Sequence, residues 1–373
     1  MSCIIRSALV GFALLFSSPV FSQVGKIPLS VGVSPAGINA REPQVAVGTD
    51  GSVWVTYGVD NALYCTRSAN SGATFDAPVK VGEAGKLSLG MRRGPRIAVA
   101  GKSVVISAVY GGKGGGADGD LLAWRSQDGG KSWQGSFRVN DVTGSAREGL
   151  HAMTASSDGT LACAWLDLRS KGTTIYAAFS QNGGKTWSAN RLVYRSPDGT
   201  VCECCHPSLA YDSQGRLYVM WRNALGGARD MYLTRSDNGG KSFQPAQKLG
   251  AGTWFLNACP MDGGALAFNR KNDALTLWRR EQEIFLCSPG LPEQKVGNGI
   301  QGWLAVSGNT IGSVWLTQRG GQLNVSTDRK EPRILSNNAD DPCVAPLNRE
   351  KSRFIVVWQE ASNRGTAIYA STF

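Results

Sequence analysis

An eight-residue pattern occurs four times along the chain, and it constrains the fold more than any other feature. Its consensus is Ser-x-Asp/Asn-x-Gly-x-Ser/Thr-aromatic, and the copies begin at Ser68, Ser126, Ser180 and Ser236, which lie 58, 54 and 56 residues apart. Such a period predicts repeated structural units in a stack or a ring. The Asp or Asn side chain can accept hydrogen bonds from backbone N–H groups shortly after it, and the Gly permits a positive φ. The pattern therefore predicts a tight turn whose aromatic residue packs onto a sheet.

These four turns resemble the Asp-box (BNR) repeats of sialidases and of many other β-propellers. The resemblance implies a propeller fold. It does not specify an activity, because the turn lies away from the reaction site in that superfamily and one fold supports many functions.

The segments around each turn alternate apolar and polar residues, as half-buried strands do. Weaker repeats follow the last turn, so that seven units can be counted, and the seventh has only three strands. The segment that starts at Lys26 resembles the fourth strands of other units. We therefore predict an all-β, seven-bladed β-propeller, closed by the N-terminal strand pairing into the last blade. A six-bladed, sialidase-type propeller is the alternative, and it merges the fifth and sixth units. Aromatic residues from Tyr57 to Trp358 end the second strands and should pack between blades.

The N terminus has the features of a secretory signal peptide. Arg6 precedes a short apolar run, and small residues up to Ser22 suit cleavage before Gln23. We predict a signal peptide over residues 1–22, a single propeller domain over 23–373, and a periplasmic or secreted protein. The apolar run is too short for a membrane-spanning helix, so no membrane span is expected.

The formal net charge of +11 favours acidic ligands. The sequence contains no nucleic-acid-binding motif and no run of Lys or Arg, so nucleic-acid binding is not expected. The partner should be an acidic small molecule, a glycan or another protein, and the protein itself is expected to be a monomer.

The propeller geometry brings the starts of the first strands and the loops after the second strands to one mouth of the ring. A sialidase-like site there would use three Arg to hold a carboxylate, an Asp as acid, and a Tyr nucleophile supported by Glu. Arg41-Glu42-Pro43 resembles the family's Arg-Ile-Pro start, whereas Tyr369 and Glu360 do not match its nucleophile pair. The alternative is that these charged residues form structural salt bridges between blades. If the protein is sialidase-like, the candidate catalytic residues are Arg41, Arg93, Arg147 and Asp60.

Cysteines are concentrated at the same predicted mouth. The motif VCECCHP places three cysteines and a histidine within five residues at the start of the fourth unit, and two further cysteines start the fifth and seventh units. Thiols and an imidazole facing one axis would suit a soft metal, Cu(I) first and Zn(II) second. Disulfides such as Cys205–Cys259 are the alternative in an exported protein, and a redox-active dithiol is a third interpretation. The candidate ligands are Cys202, Cys204, Cys205, His206, Cys259 and Cys343.

Three further residues are expected to be structural. His151, one of two histidines, is expected to be packed in the core, and Cys65 and Cys287 lie on third strands too far apart to bond each other.

Two functions follow from the sequence. The first is a binding or scaffold protein with an Arg- and Cys-lined axial mouth for an acidic ligand or a thiophilic metal such as copper. The second is a glycoside hydrolase of the sialidase type.

Overall fold

The computed structural model describes residues 30–328, 330–348 and 352–373, and within these ranges the regular structure is all β. The predicted signal peptide and the predicted strand residues before residue 30 lie outside the described residues. No helix long and apolar enough to cross a membrane occurs in the described part of the chain.

Hydrogen bonding groups the strands into six antiparallel sheets. Four of them contain four strands each, in chain order. The first comprises β2 (Ala40–Val47), β3 (Val53–Val59), β4 (Ala62–Ser68) and β5 (Val79–Gly82). The other three comprise β11 (His151–Ala155), β12 (Leu161–Asp167), β13 (Thr174–Ser180) and β14 (Arg191–Tyr194); β15 (Ser208–Tyr211), β16 (Leu217–Arg222), β17 (Met231–Ser236) and β18 (Gln247–Lys248); and β19 (Gly264–Phe268), β20 (Ala274–Arg280), β21 (Glu283–Cys287) and β22 (Gln294–Asn298).

The two remaining sheets are larger. The five-stranded sheet comprises β6 (Lys86–Leu87), β7 (Arg96–Ala100), β8 (Ser103–Gly111), β9 (Asp120–Ser126) and β10 (Gln134–Arg138), and both β6 and β7 pair with β8. The seven-stranded sheet comprises β1 (Val31–Gly32), β23 (Ile300–Ser307), β24 (Thr310–Leu316), β25 (Gly321–Thr327), β26 (Arg333–Asn348), β27 (Arg353–Ser362) and β28 (Gly365–Thr372).

The long strand β26 changes the predicted blade count. Its first half pairs with β25, where Ala339 lies opposite Gly321, and its second half pairs with β27, where Cys343 lies opposite Val357. The prediction of seven separate sheets is therefore wrong, because the chain runs from the outer strand of one unit into the inner strand of the next without a turn. The alternative of six blades made by merging the fifth and sixth units is also wrong, since β22 and β23 lie in different sheets.

The sheets form a closed ring, which is a β-propeller. Strand β2 contacts β7, and the contacts continue through β11, β15, β19, β23 and β26 back to β2. The N-terminal strand pairs with the last strand as predicted, with Val31 opposite Ala370 and Gly32 opposite Tyr369. The predicted packing of the second-strand aromatics is also confirmed. Tyr57 and Trp165 are fully buried in cores between neighbouring sheets, and Trp358 is fully buried between the two halves of the seven-stranded sheet.

The four repeated turns are built as their sequence predicts. In the second copy, Asp128 Oδ1 accepts hydrogen bonds from Ser126 Oγ (2.8 Å) and from the backbone N–H of Ser132 (3.0 Å). Gly130 has a φ of +83°, and a Cβ at this position would lie 2.6 Å from the Trp54 ring of the neighbouring sheet. The glycine is therefore required twice, once for the turn and once for the close approach of the two sheets.

Candidate functional site

Side chains at the starts of the inner strands connect neighbouring sheets around the mouth. The Glu42 carboxylate, 3% exposed, accepts hydrogen bonds from the backbone N–H groups of Gly90 (2.8 Å), Gly94 (2.9 Å) and Arg92. The backbone N–H of Glu42 donates in turn to Gln359 Oε1 at 2.7 Å. Burial raises the pKa of Glu42 to about 6. This carboxylate therefore joins sheets rather than facing a ligand.

The same arrangement continues on the other side of the ring. Gln301 donates through its backbone N–H to Asp262 Oδ2 (2.7 Å) and through its side chain to Asp341 Oδ1 (3.0 Å). The Asp341 N–H donates to Gln301 Oε1 at 2.9 Å. Glu42 and Asp341 are thus used for hydrogen bonds between strands at the mouth.

The structure brings together two of the four sialidase-like candidates. Arg41 and Asp60 line one open depression together with Leu87 and other residues of the first two repeats and the last. Arg93 is buried and donates to the backbone carbonyls of Glu148 (2.7 Å) and Gly90 (3.3 Å). Arg147 is exposed, and neither Arg93 nor Arg147 is among the described residues that line the depression. A cluster of three Arg around one carboxylate site is not formed by these side chains.

Three cysteines form the most compact group of potential metal ligands. The Sγ atoms of Cys202 and Cys205 are 3.4 Å apart, those of Cys202 and Cys204 are 3.6 Å apart, and those of Cys204 and Cys205 are 3.9 Å apart. A point equidistant from the three sulfurs lies about 2.1 Å from each, which is within tolerance of a metal–thiolate bond of about 2.3 Å. Cys202 and Cys205 are buried, whereas Cys204 is half-buried.

The other three predicted ligands lie outside this cluster. His206 is buried, its Nδ1–H donates to the Pro207 carbonyl at 3.1 Å, and its ring packs 5.5 Å from Trp303. The Cys343 side chain is buried, with its Sγ 3.5 Å from Gln44 Oε1, and Cys259 is exposed. The predicted set of six ligands is therefore reduced to the three cysteines, the only group of three or more potential ligands found among the described residues. All eight cysteines in the described part of the chain are free thiols, so the alternative Cys205–Cys259 disulfide is not formed.

The buried guanidinium of Arg222 supplies positive charge beside the cysteines. It is 1% exposed and donates to three backbone carbonyls, those of Asp262 (3.1 Å), Arg229 (2.6 Å) and Arg279 (2.8 Å). The Cys202 N–H donates to the Arg222 carbonyl at 3.1 Å, which fixes the cysteine segment against the end of β16 and places the thiols next to a buried cation. Arg222 makes no ion pair within the described ranges, and its charge favours the ionised forms of both the Cys202 thiol and the buried Asp262 carboxyl.

The three thiols share one negative charge unequally. Hydrogen bonds from the Cys204 and Cys205 thiols, helped by the charge of Arg222, hold the pKa of Cys202 well below its usual value. Hydrogen bonds with Cys202 and with Cys205 raise the pKa of Cys204, and burial raises the pKa of Cys205. The cluster therefore favours a single thiolate on Cys202 at neutral pH, and a thiolate is the form that binds metals.

The sequence did not reveal the role of Arg222. This residue follows Trp221 at the end of the second strand, in the same unit that begins with the cysteine motif, and that position was the only available signal. The Trp254 ring covers the guanidinium at 5.3 Å from its carbon, and it also packs 5.5 Å from the Arg279 guanidinium. The ring comes from a loop distant in sequence, so the site depends on the folded propeller.

A second polar group lies beside Trp303. The Arg92 guanidinium packs 4.9 Å from the centre of that ring, and its Nη1 lies 4.0 Å from Asp262 Oδ1. Burial and the charges of Arg92 and Arg96 hold the pKa of His206 well below 6.5, so the imidazole is neutral. The Nε2 atom of His206 has no hydrogen-bond partner among the described residues. His151 is packed in the core as predicted, with its Nε2 3.0 Å from Ser107 Oγ.

Comparison with known proteins agrees with this architecture. The model of the BNR repeat-like domain matches residues 94–287, which is more than half of the chain. The chain belongs to the BNR repeat-like domain family. A search of curated proteins finds no match to this member of the family.

Solved structures resemble this BNR repeat-like protein in fold. A Dyadobacter fermentans protein of unknown function is 14% identical with a TM-score of 0.56, and the match covers 92% of this chain and 97% of that one. A Hadza microbial sialidase is 16% identical with a TM-score of 0.55, over 92% and 68% of the two chains. A Penicillium chrysogenum alpha-L-arabinanase complexed with arabinobiose is 13% identical with a TM-score of 0.53, over 93% and 98%. Identities this low establish a shared fold and leave the activity open.

Proposed function

We propose that this BNR repeat-like propeller is an exported binding or scaffold protein that holds a soft metal ion, Cu(I), on Cys202, Cys204 and Cys205 at the mouth of the ring. The observation that carries the proposal is the spacing of the three sulfurs, 3.4 to 3.9 Å apart without a disulfide. Export rests on the signal peptide expected over residues 1–22.

The donor set favours Cu(I) over Zn(II). Thiolates are soft ligands that select Cu(I), whereas structural zinc sites have four ligands. The nearest imidazole in sequence, His206, donates its Nδ1–H to a carbonyl and lies outside the sulfur cluster. Three thiolates with Cu(I) carry excess negative charge, and the buried guanidinium of Arg222 offsets part of it.

Anaerobic titration with Cu(I) against a chromophoric chelator tests the site. One Cu(I) per chain is expected, and Cys204→Ala should weaken its binding by about tenfold or more, since loss of even an outer partner of a metal ligand costs about 10- to 100-fold. Cys259→Ser is the matched control, because that thiol is exposed and lies outside the cluster. Equal affinities of the wild type and Cys204→Ala would refute the proposal.

A glycoside hydrolase of the sialidase type is the second candidate. It is favoured by the depression that Arg41 and Asp60 line together, where a basic side chain could bind an acidic sugar. A fluorogenic sialoside assay on the wild type and on Arg41→Ala tests it. Hydrolysis that depends on Arg41 would support this candidate, and no hydrolysis by either protein would eliminate it.

A further inference from the structure

Three features distinguish the cysteine cluster from an ordinary set of buried thiols. Its sulfurs are close enough to react with one another, one of them reaches the surface, and the segment that carries them lies outside the regular strands. The buried Cys65 and Cys163, by contrast, lie on the strands β4 and β12. These features concern the same residues as the proposed metal site, but they do not require a bound metal.

We propose that Cys202, Cys204 and Cys205 also form a thiol–disulfide exchange site that reduces a low-molecular-weight disulfide. Cys204 is the half-buried thiol of the three, and Cys202 and Cys205 are 3% and 1% exposed. A small disulfide therefore meets Cys204 first. Glu203, its neighbour in the chain, is exposed, so this part of the segment faces solvent.

The first step is attack by Cys204 Sγ on one sulfur of R–S–S–R, while the Cys204 proton passes to Cys202 Sγ, 3.6 Å away. A bond forms between Cys204 Sγ and that sulfur, the disulfide bond of the reagent breaks, and R–S⁻ leaves with the electron pair. The leaving group takes up this proton from Cys202, which returns Cys202 Sγ to the thiolate form. The product is a mixed disulfide on Cys204 and one molecule of R–SH.

The second step is attack by the Cys202 thiolate on Cys204 Sγ, 3.6 Å away. The mixed disulfide breaks, and the second R–S⁻ leaves with the electron pair and takes up a proton from solvent. Two cysteine sulfurs are thereby oxidised to a Cys202–Cys204 disulfide, and R–S–S–R is reduced to two R–SH.

Cys205 is less suited to the second step. Adjacent Cα atoms are about 3.8 Å apart, below the range of about 4.4–6.8 Å that disulfides favour, so a Cys204–Cys205 bond would be strained. Cys205 Sγ lies 3.4 Å from Cys202 Sγ. It can therefore attack Cys202 afterwards, which moves the disulfide to Cys202–Cys205 and frees Cys204 without further change in oxidation state. Either disulfide removes two of the three proposed metal ligands.

The test uses metal-free full-length protein with Cys259→Ser in every variant, so that the exposed thiol does not react. The probe is glutathione disulfide, and the readouts are released glutathione and peptide mapping of the alkylated protein. The parent should release two glutathiones per chain and form a disulfide that contains Cys202. Cys202→Ala should release one and retain a mixed disulfide on Cys204, and Cys205→Ala should still release two.

Cys204→Ala should react at least about tenfold more slowly than the parent, because the two remaining thiols are buried. Cys65→Ala is the control for loss of a buried cysteine elsewhere, and it should behave as the parent does. A cluster that stays fully reduced in the parent, or a Cys204→Ala variant that reacts at the parental rate, would overturn the inference. Cu(I) binding is measured separately under reducing conditions. Disulfide formation without Cu(I) binding would reject only the proposed function, whereas Cu(I) binding without disulfide formation would reject only this inference.

Discussion

Replacing Glu42 by Ala should destabilise the ring, because its carboxylate accepts hydrogen bonds from three backbone N–H groups of the next repeat, those of Gly90, Arg92 and Gly94. A buried donor left without an acceptor costs about 1–3 kcal/mol, so three such donors cost about 3–9 kcal/mol. Part of this cost is offset, because the ionised carboxylate is itself disfavoured by burial.

The offset follows from the pKa of Glu42, which burial raises from 4.5 to about 6. At about 1.36 kcal/mol per unit, the ionised carboxylate destabilises the folded state by about 2 kcal/mol above pH 6. At pH 7 the free energy of unfolding of the Glu42→Ala variant should therefore be about 4 kcal/mol below that of the wild type. Because the pKa is raised in the folded state, the contribution of Glu42 to stability is fully present below pH 4.5 and declines as the pH rises through 6. Between pH 4.5 and pH 7, the free energy of unfolding of the wild type should therefore fall by about 2 kcal/mol more than that of the variant.

Urea unfolding followed by tryptophan fluorescence at pH 4.5 and pH 7 measures both quantities. Glu83→Ala is the matched control, since Glu83 forms an exposed ion pair with Lys80 and its loss should cost less than about 1 kcal/mol. A Glu42→Ala variant within about 1 kcal/mol of the wild type at pH 7 would refute the reasoning, as would a stability difference that does not change with pH.

Two further predictions concern single residues. Gly130→Ala should lower the free energy of unfolding by about 2–4 kcal/mol, because the turn needs a positive φ and the new Cβ would overlap the Trp54 ring. Gly129→Ala is the control, since it has the same φ requirement but open space around it, and it should cost about 1–2 kcal/mol. Equal losses for the two variants in urea unfolding would contradict the predicted overlap with Trp54. Burial lowers the pKa of His151 to about 3, so the unfolded state takes up its proton first as the pH falls. The free energy of unfolding should therefore decrease by about 1.4 kcal/mol per pH unit from this residue between pH 6.5 and about 3. An NMR titration in which the His151 ring protonates near pH 6.5 in the folded protein would contradict that expectation.

The blade count shows where the sequence was insufficient. The repeats up to the fourth turn carry Asp or Asn, Gly and an aromatic residue in a short local pattern, and these residues fix a turn through contacts within eight residues. Between Arg333 and Asp341 no such pattern occurs, and the chain continues as one strand, β26. Whether an extended segment continues or turns depends on the strands that pair with it, here β25 and β27. A pairing between two separate strands cannot be read from either strand alone.

The sequence by itself determined the repeated turns, the all-β ring and the proximity of Cys202, Cys204 and Cys205, because these depend on residues close together in the chain. Only the tertiary structure decided that His206, Cys259 and Cys343 lie outside the sulfur cluster, that Arg93 is bound to backbone carbonyls, and that Arg222 lies buried beside Cys202. The physical reason is that packing between sheets that are distant in sequence sets the direction of a side chain at the mouth. A residue pattern predicts only that the residue lies at the mouth.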